Sequence, residues 1–327
     1  MSMRPDFLVP AQRAADHSPL GFLRERRAEL AEHAEEALAT AAAQGDLRTS
    51  GTDARWYWRL LRWDTEHFGR PMIRIDGAGW EGEAQDPADG LAASLAELRA
   101  ELASAYPGAY VWSEVPASDL VPLGVLGAGG FRLIETRLAY YTLEPARAVT
   151  DERHPVRPAT AADVPHLREV AARADNPSDR YHADPQFSLE TARRYLATYA
   201  EESLRRLATA VLVPDPGDGA PAGAFFTLKV SEAGACPLGL AHDCDLHLRL
   251  GRIPLVAVGP DRKGWHLRLL SEATRDLAAR GADVVTMTTQ AANGAVIRKS
   301  RWSTNIATMT ACGGMSSNVF RPCKPVR

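Results

Sequence analysis

Cysteine is scarce in this chain: four residues in 327, at Cys236, Cys244, Cys312 and Cys323, all in the last third. So few, and so unevenly placed, they exclude a disulfide framework and leave reduced thiols as the expectation. Long apolar runs are also missing. A stretch such as Ile253–Val258 falls far short of the roughly 20 residues that cross a bilayer. The opening MSMRPDFLVPAQRAADHSP has no apolar segment of the kind a secretory leader needs, so the reading is a cytoplasmic protein without a membrane partner. Neither sign of charge dominates. A net charge of -3 and a pI of 6.3 give no basic face for nucleic acid. His242, Cys244 and His247 crowd into AHDCDLH but match no closed zinc spacing, and no metal is expected.

With 45% hydrophobic residues the chain has ample material for a packed core. Residues 1–54 read as a helical extension, because Pro19–Gln44 is rich in Ala, Glu, Arg and Leu, with Leu23, Leu30 and Ala34 on one face. Residues 55–145 alternate strand and helix patterns. Met72–Ile75, Tyr110–Glu114 and Phe131–Leu143 read as strands, and Gly90–Ala105 as a helix with Leu91, Leu95, Leu98 and Leu102 inward. The third unit, 155–327, opens with strand Val156-Arg157 and a helix capped at Thr160, with Asp163 in the box position. A helix follows over Ser188–Leu207. Then come strands at Ala210–Val213, Gly223–Val230 and Leu250–Val258, a helix over Trp265–Arg280 and a strand over Val284–Thr289. This alternation predicts an α/β layer structure.

The densest chemical signal lies in Pro254–Leu270, where a buried strand runs into a basic, glycine-containing turn and then an amphipathic helix. Such a turn leaves helix N-terminal N–H groups free for a pyrophosphate. Arg262 and Lys263 add positive charge there, and Gly264 permits close backbone approach. Followed by Arg280–Val285 and Thr289–Asn293, the segment resembles the acetyl-CoA signature of GNAT N-acetyltransferases. The resemblance implies a GNAT fold, a mixed central sheet flanked by helices, preceded by a partial, degenerate GNAT-like domain. It also implies acetyl-CoA as acyl donor, held by Val256, Ala257, Val258, Arg262, Lys263, Gly264, Trp265, His266, Gln290 and Asn293. In that family the strand end at Val256–Val258 splays from its neighbour and offers its backbone to the pantetheine arm and the thioester carbonyl. Asp261 stands where Arg or Gln is usual, and His266 where a small residue is usual.

Trp63–Gly69 (WDTEHFG), Gly130–Thr136 and Asp179–Phe187 (DRYHADPQF) resemble the TDP-amino-sugar N-acetyltransferases. That likeness implies a small-molecule amine acceptor, a nucleotide sugar, contacted by Arg180, Tyr181 and Asp184, and it admits a homodimer. Other small amines and a CoA-binding protein without catalysis stand as alternatives. For Trp63 and Phe68 core packing is an equal reading. Acyl transfer to an amine needs a base, an oxyanion donor and an acid. His182 is the candidate base by its intrinsic pKa, with a bound water as alternative. The Val258 N–H is the candidate donor. The family's acid, a Tyr seven residues after the Asn matched by Asn293, falls on Ser300.

Past Ser300 the resemblance stops. Residues 303–327 contain no Leu, Asp or Glu, yet hold two of the four Asn and two of the four Cys. That shift suggests an ending translated in another frame or replaced. Leu126–Phe131 and the strand after it resemble the missing ending, as in a duplicated unit whose first copy lost its cofactor turn, so one CoA site is expected.

Overall fold

The computed structural model describes residues 20–26, 28–30, 32, 40–45, 47–52, 54–80, 87–174, 176–215, 217, 219, 221–231, 248–293 and 303–314. The AHDCDLH segment, Ser300, the helix expected after Asn293 and most of the helix expected over Pro19–Gln44 lie outside them.

In the N-terminal half, β1 (Arg48–Ser50), β2 (Ala54–Leu60) and β3 (Met72–Trp80) form an antiparallel ribbon. The β2–β3 connection carries α1 (Arg62–Phe68), which stops where Gly69 takes φ 65°, a left-handed conformation that glycine adopts without strain. Helix α2 (Pro87–Ala105) turns Leu91, Leu95, Leu98 and Leu102 into the core and delivers β4 (Tyr110–Pro116) parallel to β3. Helix α3 (Leu120–Ala128) and β5 (Arg132–Thr142) complete this half.

The second half opens with β6 (Val156–Pro158). A capping box comes next, in which the Thr160 N–H donates to Asp163 Oδ2 at 2.8 Å, and it leads into α4 (Val164–Arg173). Then come α5 (Arg180–Ala183) and α6 (Leu189–Glu202), the latter unwinding into a π turn over Ser203–Leu207. Strands β7 (Ala210–Pro214) and β8 (Ala224–Ser231) pair antiparallel. The strand expected over Leu250–Val258 is broken into β9 (Leu250–Ile253) and β10 (Val256–Val258). Proline at 254 cannot donate to a ladder, so an interruption there costs the sheet least. Helix α7 (Trp265–Ala279), β11 (Val284–Gln290) and β12 (Ser303–Gly314) end the chain's described part.

All but one strand fall on a single path, β1-β2-β3-β4-β12-β5-β11-β9-β8-β7-β6, with β10 attached to β8. The tail therefore does supply a strand. β12 lies in the middle of the sheet, antiparallel to β4 on one side and β5 on the other. Its sequence, STNIATMTACGG, has the Thr and Ile content that suits an extended chain. Because β5 in turn pairs with β11, each half lends its last strand to the other, and the order runs alike from both ends.

One apolar cluster lies beneath α2, and two others line the opposite faces of the second half, under α7 and α4. A fourth joins the halves. It gathers Met72, Tyr110 and Trp112 from the first half with Tyr181, Phe187, Ala192 and Cys312 from the second.

Candidate active site

β9 runs parallel to β11 over four pairs, Leu250↔Val284 to Ile253↔Met287. Beyond Ile253 the strands part, and β10 pairs with β8 alone. The cause is a bulge. Lys229↔Arg252 and Phe226↔Val256 are successive anchors on β8, so Ile253, Pro254 and Leu255 oppose only Leu228 and Thr227. Thr227 pins the extra residue: its N–H and Oγ1 lie 2.9 and 3.1 Å from the Leu255 carbonyl, and its Oγ1 accepts from the Leu255 N–H at 2.8 Å.

The ladder's phase fixes which backbone groups face the opening. Leu255 and Gly259 bond to β8, the latter through its N–H to the Gly223 carbonyl at 2.9 Å. Alternation therefore turns the N–H and C=O of Val256 and Val258 away from β8, toward the gap with β11. Ala257 packs its side chain with α4, whereas Val256 and Val258 pack with the α7 cluster.

After β10 the chain makes one 3-10 turn, Pro260–Arg262, and reaches Gly264 at φ 89°, the residue that caps α7. A side chain there would be strained by the backbone although the space around it is open. The first turn of α7 thus presents its unbonded N–H groups beside the mouth of the gap. Lys263 is exposed. Arg262 lies over Gly223, where a Cβ would come within 2.8 Å of its side chain, and its Nη2 is 3.5 Å from the Pro221 carbonyl. Trp265 is buried in the α7 core, and His266 sits edge-on to Phe226 at 5.3 Å. Gln290 bridges the halves, 3.3 Å from Glu135 Oε2 and 2.5 Å from the Asn176 amide, while Asn293 Nδ2 reaches Thr289 Oγ1 at 3.3 Å.

Next to the bulge, on the α6 side, a cleft of about 300 Å³ opens between the halves, with Thr227, Lys229 and Pro254 along one wall. Trp63 and Asp64 from α1, Tyr195 and Tyr199 from α6, and Arg206 from the π turn form the others. The π turn widens the helix by one residue, with the Ala208 N–H reaching the Ser203 carbonyl at 3.0 Å, and so brings this segment into the wall. The rings of Trp63, Tyr195 and Tyr199 lie 5.5 to 6.4 Å from one another.

Asp64 is the cleft's carboxylate. Burial raises its pKa, against the opposing pull of the Arg180 charge and of the Tyr181 hydroxyl, which donates to Oδ1 at 3.3 Å. Behind it, Arg180 is buried with its guanidinium 3.6 Å over the Trp112 ring and hydrogen-bonded to the Tyr181 hydroxyl. Burial also lifts the phenols of Tyr195 and Tyr199, so both stay protonated at working pH. Deeper still, the Tyr110 hydroxyl lies 3.0 Å from Asp184 Oδ2 and 2.8 Å from the Cys312 thiol, which burial pushes up to about 12.

Arg180, Tyr181 and Asp184 thus come together with the WDTEHFG segment, but as a buried layer behind the cleft rather than as its lining. The His182 ring is 3% exposed, with Nδ1 2.6 Å from Asp179 Oδ2, and it does not line the cleft. Asp64, Tyr195 and Tyr199 are the functional candidates that pattern reading did not single out individually, although Asp64 sits inside the heptapeptide that was. Among the described residues no cluster of three or more His, Cys, Asp or Glu could hold a metal. No helix among them is long and apolar enough to cross a membrane.

No protein-family model and no curated protein sequence matches this chain. Solved structures do resemble it. A GCN5-related N-acetyltransferase from Sphaerobacter thermophilus superposes with a TM-score of 0.53 at 14% identity, over 97% of this chain and 98% of that one. A tandem GNAT protein from the clavulanic acid biosynthesis pathway gives 0.50 at 11% identity, over 81% and 80%. A glucosamine N-acetyltransferase region of a fungal multi-domain β-N-acetylglucosaminidase gives 0.50 at 12% identity, over 80% of this chain and 31% of that one. The splayed strand, the capped helix after it and these superpositions agree: the chain has the fold of the GCN5-related N-acetyltransferases.

Proposed function

We propose that this protein is an acetyl-CoA-dependent N-acyltransferase whose acceptor is the amine of a nucleotide-linked amino sugar. The observation that carries this reading is the gap between β10 and β11, which opens beside a cleft holding a carboxylate of raised pKa. The residues present fit the donor. Val256 and Val258 offer backbone groups to a pantetheine arm, and the Gly264-capped start of α7 with exposed Lys263 suits a pyrophosphate. Acetyl-CoA, when bound, supplies the acetyl thioester and its thiol leaving group.

Asp64 takes the proton of the acceptor ammonium, a role its raised pKa favours by bringing it nearer to neutrality. We assign this role to Asp64 rather than His182, because Asp64 lines the cleft and His182 is enclosed against Asp179. The freed amine bonds to the carbonyl carbon as the carbon–sulfur bond breaks, and the Val258 N–H donates to the carbonyl oxygen where charge gathers. As the amide forms, the nitrogen sheds a second proton to solvent, and the departing thiolate gains one from solvent, directly or relayed through Ser300, the residue that the resemblance places there. The amino-sugar acceptor rests on the likeness of Trp63–Gly69 and Asp179–Phe187, whose residues Asp64 and Tyr181 are hydrogen-bonded to each other.

The test is thiol release from acetyl-CoA across a panel of TDP-4-amino sugars and simple amines. Release with an amino-sugar nucleotide supports the whole reading, and release only with simple amines moves the acceptor. CoA binding without release from any acceptor makes this a binding protein.

A further inference from the structure

The charges lining the cleft are sorted. Its anion, Asp64, sits on α1 beside the ring of Trp63 and joins the buried Tyr181–Arg180 pair. Its cations are Lys229 on β8 and Arg206 on the π turn, both exposed. Arg206 is already engaged, its Nε 2.5 Å from Glu202 Oε2, so Lys229 is the cation available to a ligand. The same cleft is lined by the rings of Trp63, Tyr195 and Tyr199, and the two phenols remain neutral. An ammonium is stabilised by a carboxylate and by ring faces alike, whereas an anion is repelled by both. A molecule with two ends of opposite charge therefore has one favoured orientation here.

Size narrows the ligand further. The space is about 300 Å³, at the small end of ligand pockets. That room suits one amine-bearing ring or a short chain, and not a nucleoside diphosphate as well.

Resting on the acyltransfer reading above, we infer that the cleft selects an amine whose other end is anionic, with the ammonium at Asp64 among the three rings and the anion outside, at Lys229. A phosphate of a sugar nucleotide and the carboxylate of an amino acid share that chemistry. Lys229 is then a specificity-determining residue that works through charge, not a catalytic one.

Steady-state thiol release with three probes decides this: a TDP-4-amino-4,6-dideoxyhexose, the methyl glycoside of the same sugar, and 6-aminohexanoate. The neutral glycoside should show a KM at least tenfold above that of the sugar nucleotide with similar kcat. In Lys229→Met that gap should collapse, mainly by a rise in KM for the anionic probes, and 0.5 M salt should have a similar effect on wild type. If 6-aminohexanoate matches the nucleotide, the anion is recognised generically; if it fails, the phosphate is required. Equal KM for the charged and neutral sugars, or a gap that persists in Lys229→Met, overturns the inference while leaving acyl transfer intact. No release with any amine overturns acyl transfer instead. Titration calorimetry with the same three amines then decides the inference alone: preferential binding of the anionic amines, lost in Lys229→Met, sustains it, and equal binding overturns it.

Discussion

In the N-terminal half, β3 and β4 run parallel over four pairs, Met72↔Tyr110 to Ile75↔Ser113, while β3 continues beside β2 as far as Trp80. In the C-terminal half, β9 and β11 do the same over four pairs before β10 departs along β8. Both departures coincide with a bulge. Tyr57↔Gly77 and Trp58↔Ile75 leave Asp76 as the extra residue of β3, just as three residues oppose two at Pro254. The halves differ in the sequence that succeeds each gap. The C-terminal gap leads through Gly-Pro-Asp-Arg-Lys-Gly into a helix that starts on Trp265, with its first N–H available. The N-terminal one leads through Glu-Gly-Glu-Ala-Gln-Asp into a helix that starts on Pro87, which has no N–H to give. The bulges differ as well. Thr227 holds one by hydrogen bonds alone, whereas Asp76 fills the other and pairs with Arg59 at 3.0 Å and Arg74 at 3.1 Å. The sheet provides the gap twice, and the six residues that succeed each gap differ in charge and in the helix start they lead to.

The strand exchange makes the comparison breakable at its root. A chain ending at Trp302 loses β12, which bonds to β4 and β5 in the middle of the sheet, and leaves Tyr110 without the Cys312 thiol. Both halves should then fail together, with no cooperative thermal transition by circular dichroism. A truncated protein that still melted cooperatively would show that the tail adds nothing to the fold. Less drastically, Asp64→Asn should lower kcat by about 10²- to 10⁴-fold, the usual weight of a positioned proton acceptor, and leave CoA affinity unchanged. A matching loss in His182→Gln, with Asp64→Asn active, would move the base to His182.

The turn itself can be tested in both halves at once. Gly264→Glu forces a side chain onto φ 89° and places an anion at the start of α7. CoA affinity by calorimetry should fall about 30- to 100-fold, combining roughly 1–2 kcal/mol of backbone strain with like-charge repulsion. Replacing Glu81 and Glu83 by Lys should leave the stoichiometry at one CoA per chain, because Pro87 still withholds its N–H. A second CoA bound by that variant would make charge alone the difference between the halves.

The turn at Arg262–Gly264 was legible in sequence because its chemistry is local: basic residues, a glycine and a helix start lie within a few positions. The Thr160–Asp163 box was legible for the same reason. The break at Pro254 was not, since apolar content reads alike in one long strand and in two short ones, and only the register on β8 reveals the extra residue. Nor was the role of the tail. A strand that pairs with residues some 180 and 200 positions away, as Cys312 does with Arg132 and Trp112, leaves no local mark of its partners. Asp64 was hidden for a related reason. Its carboxylate meets Tyr181, 117 residues away, only after the two halves join.

Tyr181→Phe probes that meeting with a smaller effect. The phenol's hydrogen bond lowers the pKa of Asp64, so its loss should raise it. The acidic limb of kcat/KM should move up by about one unit or less, the equivalent of one hydrogen bond, with little change in the plateau. An unmoved limb would mean that another group titrates. Arg180→Met should move the limb the same way, since the guanidinium also favours the charged carboxylate.

The smallest expected effect concerns the capping box, far from either gap. Asp163 accepts from Arg157 through both oxygens, at 2.7 and 2.8 Å, and from the Thr160 N–H at 2.8 Å. The Arg157 hydrogen bonds come first among the causes that hold its carboxyl down at about 2. Its folded pKa being depressed, Asp163 stabilises the fold at pH values above its unfolded pKa of about 4, and this contribution is lost as the pH falls toward 2. Asp163→Asn should therefore cost about 1–2 kcal/mol at neutral pH, and the difference from wild type should shrink between pH 4 and 2. The N-terminal half offers the control. Helix α2 starts on Pro87 and carries Asp89 in its first turn, so Asp89→Asn there should change stability by only about 0.5 kcal/mol. An equal loss from both substitutions in urea melts would mean that the helix dipole, and not the Arg157 bonds, sets the value of the carboxylate.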